Sequence, residues 1–303
     1  MLPLWVIISL AAALSQTARN AGQKHLATTM SVWGATLVRF AFGLPFALIY
    51  LWGAGEAREV ALPDIHLEFV LWCAATAAAQ IGGTVALVSL YAHRNFAVGS
   101  SFARTETIST AIIGASLFGE RIGFAGWLAV LISSSGVILI SVARQGVGLG
   151  SLIASAFNRV AGVGILSGVG FALSSLTLRE ASLSLNDSDY FTTAAMTLVT
   201  VIVIEVIGLG LFIKLRTPTD FAAMARAWKW CVFVGLASAL GSAGWFTAMT
   251  IEKVSYVKIV AQIEFLFSIL VSIWIFKERS SLRELVGMTL IAAGLVVLLA
   301  FEA

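Results

Sequence analysis

Ten apolar stretches, each close to the thickness of a bilayer's hydrocarbon core, leave this chain little choice of fold. They run over 3–21, 31–52, 67–91, 96–118, 122–142, 160–181, 190–213, 228–250, 255–276 and 280–301, with short breaks between them. A helix needs about 20 mostly apolar residues to cross hydrocarbon, where its backbone must be satisfied internally. Only 12% of the residues are charged and 59% are hydrophobic, against about 25% charged in soluble domains. Such a chain cannot cover a water-facing surface. The expectation is an all-α integral membrane protein of ten transmembrane helices. Leu4 to Ala18 lacks a basic segment ahead of it and is read as the first helix, not a cleaved leader.

The chain also repeats itself. Shifted by 158 positions, Glu106 falls on Glu264, Phe118 on Phe276, Glu120-Arg121 on Glu278-Arg279, Gly83 on Gly241 and Gly136 on Gly294. Residues 1–145 and 159–303 then form two five-helix repeats joined by a linker at 146–158. Five is odd, so the second repeat enters the membrane from the opposite side. This is the inverted-topology plan of many secondary transporters.

Charge placement supports the alternation. Three of the 19 Lys and Arg residues (Arg39, Arg104 and Lys258) lie inside helices. Of the remaining sixteen, twelve fall on one face and four on the face that carries both termini. By the positive-inside rule the termini lie outside the inner (plasma) membrane.

With Gly119-Glu120-Arg121 and Gly136-Val-Ile-Leu in the first repeat, and Lys277-Glu278-Arg279 and Gly294-Leu-Val-Val-Leu in the second, the chain resembles EamA-type members of the drug/metabolite transporter superfamily. Arg39-Phe40 resembles that family's arginine in helix 2. The resemblance covers essentially the whole chain. It implies ten helices around a central cavity that carries small metabolites such as amino acids, nucleotide sugars or drugs. Many members have a proline beside the acids of helices 4 and 9; Thr107 and Phe265 stand there instead. Many members are also drawn with cytoplasmic termini, whereas the charge count here puts them outside.

An ionisable group in mid-bilayer costs at least about 2.5–3.5 kcal/mol on insertion scales, so it marks function or pairs with a partner. Glu106 and Glu264 are the first candidates for binding substrate and exchanging protons, because the repeat brings their helices to equivalent places. A buried ion pair with Arg104, Arg39 or Lys258 is the structural alternative. Arg104 could hold a substrate carboxylate, while Arg39 serves as an anchor or a substrate contact. Gln262 shares a helix face with Lys258. Gln16, Gln80, Ser175, Trp245 and Tyr256 supply softer polar contacts, for which bonding between helices is the plain alternative. Glu205 has no repeat partner. Glu120 and Glu278, at tight turns, are read as acceptors for the free amides of the next helix.

The function expected is secondary active transport of a small polar metabolite, zwitterionic like an amino acid, by alternating access with proton coupling. A broad exporter of cationic or aromatic compounds is the second reading. An embedded enzyme is disfavoured, since HExxH, GxSxG and Cys/His metal spacings are all missing from the sequence, and a scaffold has no use for buried charge. No GxxxxGK[ST] loop occurs, so direct ATP drive is not expected. No cofactor, metal or nucleic acid is expected; the partners are substrate, lipid and protons, and the protein works as a monomer or weak dimer.

Overall fold

The computed structural model describes residues 2–26, 28–89, 105–145, 150, 159–186, 189–267 and 281–302. Among these the regular structure is entirely helical. The helices are α1 (Leu4–Leu26), α2 (Val32–Ala41), α3 (Leu44–Ala54), α4 (Leu67–Ser89), α5 (Glu106–Leu117), α6 (Phe124–Gln145), α7 (Arg159–Ser184), α8 (Tyr190–Arg216), α9 (Thr219–Arg226), α10 (Trp228–Ile251), α11 (Val254–Ala261) and α12 (Leu282–Phe301).

Seven described segments are long and apolar enough to cross a membrane. They take in α2–α3 together, α4, α6, α7, α8, α10 and α12. The expected helices at 96–118 and 255–276 lie only partly within the described residues. α1 is long but is diluted by Ser15-Gln16-Thr17 and Arg19-Asn20. Large apolar side chains point outward on several spans, among them Leu166, Ile207, Leu240 and Val296, each more than half exposed. A bilayer tolerates that surface and water does not.

The expected helix over 31–52 is two helices. Pro45 has no N–H to give to Ala41, so the run breaks at Phe42-Gly43 and α3 restarts with proline in its first turn. A short helix, α9, follows Pro218 in what reads as a loop; its Asp220 accepts from the Ser31 N–H at 2.9 Å and from the Ser31 hydroxyl.

The chain forms two compact units, and each draws on both halves of the sequence. One takes Gly82–Leu176 with Lys253–Ala303, the other Leu2–Ile81 with Thr177–Glu252. A compact unit is therefore not the same thing as a sequence repeat. The first unit is centred on α6 against α12. Gly136 and Gly287 let the two backbones touch, and Val137, Ile140 and Ile291 bury beside them, with Phe265, Leu266 and Met288 packed on top. The second unit packs α1 on α10, and α8 against α2, α3 and α10. Small residues again allow close approach, since a Cβ on Gly244 would lie 2.8 Å from that of Ala12.

Candidate functional site

The first unit gathers its polar side chains where helices start and stop. α5 begins at Glu106 after a turn at Thr105, so the carboxylate sits at the positive end of the helix dipole. α11 runs only to Ala261, Gln262 takes a turn, and helix resumes over 263–267. Phe265 donates its N–H to the Gln262 carbonyl at 3.1 Å, which tightens the interruption. The break forms without a proline, since Phe265 follows Glu264.

Across α5 and α11, Lys258 Nζ donates to Glu106 Oε1 at 2.5 Å, with side chains 15% and 28% exposed respectively. Lys258 lies in the last turn of α11, where the dipole favours a cation. One turn on, Gln262 is 5% exposed. Its Nε2 reaches Ser134 Oγ on α6 at 3.5 Å, and its buried Oε1 has no hydrogen-bond partner. Glu264, half-buried, follows on the resumed helix. Of the three partners considered for Glu106, the structure supplies the lysine.

Other expected site residues in this unit bond elsewhere. Tyr256 is 1% exposed; its hydroxyl donates to Glu302 Oε2 at 2.5 Å and accepts from the Gly123 N–H at 3.4 Å. That bond holds the Glu302 carboxyl below the usual carboxylate range, helped by the Gly126 N–H. Ser175 Oγ returns to the Phe171 carbonyl of its own helix at 2.9 Å. Arg104 lies outside the described residues.

The Gly-Glu-Arg motif has a structural account. Gly119 takes φ of +67°, and the Glu120 N–H closes α5 by donating to the Gly114 carbonyl at 2.9 Å. The Glu120 side chain then caps a helix, but not the following one. It accepts from the Val254 N–H at 2.7 Å and from the Ser255 hydroxyl at 2.5 Å, satisfying the first free amides of α11. Glu278 lies outside the described residues.

In the second unit Trp245 Nε1 donates to Gln16 Oε1 at 3.0 Å, joining two expected residues of α10 and α1. Two residues on from Trp245, Thr247 shares a 2.6 Å hydrogen bond with Tyr50 of α3. Gln80, on α4, is half-buried and engaged. Arg39 closes α2, with its guanidinium 4.7 Å over the Phe40 ring and its buried Nε unpartnered. Glu205 on α8 is fully buried, and neither of its oxygens finds a hydrogen bond. Sequence reasoning gave Glu205 little weight because it has no repeat partner; lone acidity within α8 was the one signal available. Among the described residues no group of His, Cys, Asp and Glu is placed to hold a metal ion.

The sequence matches the model of the EamA-like transporter family over residues 3–142 and 158–300. A solved structure, "Crystal structure of protein", aligns with 97% of this chain and 95% of its own at a TM-score of 0.70 and 16% identity. At that identity the similarity is one of fold. No curated protein sequence matches the chain.

Proposed function

The chain belongs to the EamA-like transporter family, and from that premise we propose that it is a secondary active transporter for a small zwitterion of the amino-acid type. The observation that carries this reading is the Glu106–Lys258 pair, which is closed yet only partly buried, beside the break at Gln262. A zwitterion can replace both members of such a pair at once. Its ammonium takes the Glu106 carboxylate and its carboxylate takes the Lys258 ammonium. Charge is then balanced before and after binding, and neither member is left desolvated alone. Gln262, with an amide oxygen still free, adds a hydrogen-bond acceptor within one helical turn of Lys258. Glu264 adds a second carboxylate on the helix that resumes after the break. Broken helices that expose polar groups near mid-membrane are common at transporter sites.

The wider mechanism has ten helices in two inverted repeats, at 1–145 and 159–303, giving alternating access across the plasma membrane with proton coupling. Both termini lie outside, as the basic-residue bias suggests. A thermal-shift screen of the purified protein is the test, because a ligand raises apparent stability by mass action. One or more common amino acids should raise the melting temperature, and Glu106→Gln and Lys258→Met should each sharply reduce the shift at a fixed ligand concentration. If lipophilic cations stabilise the protein and no amino acid does, the reading passes to a broad exporter of cationic or aromatic compounds.

A further inference from the structure

Glu205 is the one described acid buried completely and left without a hydrogen bond. An ionised carboxylate in that position would lack every donor that burial demands. The elements packed on α8 offer few groups to compensate it. α2 brings Arg39, α3 brings Tyr50, whose hydroxyl is shared with Thr247, and α10 brings Lys229 and Cys231. Lys214 and Arg216 lie two or more turns further along α8 itself. Of these, Arg39 is the charged group that lies level with Glu205.

The register of the helices shows this. The Trp33 and Phe212 rings lie 4.6 Å apart, and Thr192 Oγ1 donates to the Ala54 carbonyl at 3.2 Å, so α2–α3 and α8 run antiparallel. Interpolation between those contacts puts Arg39 level with about residue 206 of α8. The two side chains share a depth in the unit, yet they make no ion pair. Arg39 rests on Phe40 and keeps an unpartnered Nε. Ser238 Oγ, on the neighbouring α10, is also buried and unpartnered. The acid, the base and the hydroxyl are thus all available for a second arrangement.

We propose that Glu205 is the proton carrier of this transporter. It is held as the neutral acid in the present conformer and releases its proton when a second conformer closes Arg39 onto it. The O–H bond breaks, the proton passes to water admitted on one side of the membrane, and the Arg39 guanidinium neutralises the carboxylate left behind. Rebinding a proton from the other side frees Arg39 to return to Phe40. This inference rests on the transport reading above, but it moves proton coupling away from Glu106 and Glu264, which then serve the substrate alone.

The test uses the full chain in proteoliposomes with three readouts. Infrared spectra at neutral pH should show a protonated-carboxyl band in the wild type and in Arg39→Gln that is lost in Glu205→Gln. Melting at neutral pH should be the same or higher in Glu205→Gln, since glutamine is isosteric with the neutral acid. With a radiolabelled mixture of the common amino acids, an imposed pH gradient should drive accumulation in the wild type. Glu205→Gln should exchange label at the wild-type rate but lose the gradient-driven part. The proposal is overturned if the wild type lacks the band, if Glu205→Gln melts lower or fails to fold, or if its gradient-driven accumulation persists. A wild type that moves no amino acid refutes the substrate reading instead, and the band and the melting curve then decide Glu205 alone.

Discussion

Two acid–base pairs of the same chemistry are built in opposite ways in the two compact units. Glu106 and Lys258 are in contact, partly exposed, and set at helix ends whose dipoles favour each charge. Glu205 and Arg39 lie at one depth within helices, fully and half buried, and remain apart. The first pair is stable as charges because it keeps some water and gains from two helix termini. The second has neither support, so the acid is better accommodated neutral and the base on an aromatic face. A closed, wet pair suits exchange with a charged ligand, whereas an open, dry pair suits exchange of a proton.

The largest effect should come from breaking the closed pair. Lys258→Met leaves the Glu106 carboxylate without its cation, and losing one partner of a hydrogen-bonded charge pair costs about 2–5 kcal/mol when the pair is dry. The partial exposure here puts the expected loss at the lower end, which still weakens ligand binding by more than about tenfold. Titration of the best thermal-shift ligand measures it. The exchanged double variant Glu106→Lys with Lys258→Glu restores the pair with reversed polarity against both helix dipoles. It should recover folding but not binding. Full recovery of binding would mean that the pair is structural and the zwitterion exchange idea wrong.

An intermediate effect of opposite sign is expected at the open pair. Replacing an unsatisfied buried polar group with an apolar one of similar size removes a penalty of about 1–3 kcal/mol. Glu205→Leu should therefore melt higher, by a few degrees. If Glu205 and Arg39 are instead an ion pair, the same substitution strands a buried guanidinium and the protein melts lower. A single melting curve thus separates the two descriptions, whatever the substrate.

Much of this was legible in the sequence, for definite reasons. Spans such as α8, α10 and α12 began within two residues of where apolar patterning put them, because the bilayer fixes their length and composition together. Pro45 announced the break inside the helix expected over 31–52, and Pro218 the start of α9 in the expected loop between 213 and 228. Lys258 was named as one of three partners for Glu106, but the choice needed the pairing of α5 with α11, which no local pattern encodes. Glu120 was recognised as an amide acceptor, yet its target was misassigned, because the amide it accepts from, Val254, is 134 positions away in α11 and no local pattern encodes that pairing. Tyr256 read as a site residue since its partner, Glu302, is 46 positions away and sits at the end of α12. Glu205 was undervalued because burial depends on which face of α8 meets α2, α3 and α10, and the helix is apolar all round.

The smallest effect belongs to a third pair, at the ends of two spans, which calibrates the other two. Arg58 donates to Asp189 at 2.7 Å and 3.1 Å, with side chains 43% and 18% exposed respectively. Asp189 also caps α8 by accepting from the Thr192 N–H at 2.9 Å. The Arg58 guanidinium first, and the Thr192 bonds after it, hold the Asp189 carboxyl below the usual carboxylate range. A carboxyl whose folded value is depressed binds fewer protons folded than unfolded. Its stabilisation is complete above the unfolded value of about 4 and is lost as pH falls through the folded value below that. Asp189→Asn keeps a capping oxygen and loses only the charge, so it should melt about 1 °C lower than the wild type at neutral pH. As the medium is acidified below about pH 4, the wild type should lose that advantage until the two curves meet. The gap should also shrink in molar salt, because exposed pairs are screened. Neither the acid convergence nor the salt effect is expected for Glu205→Leu. If salt and acid erase that difference too, Glu205 is solvated and charged, and the contrast between the closed and open pairs fails.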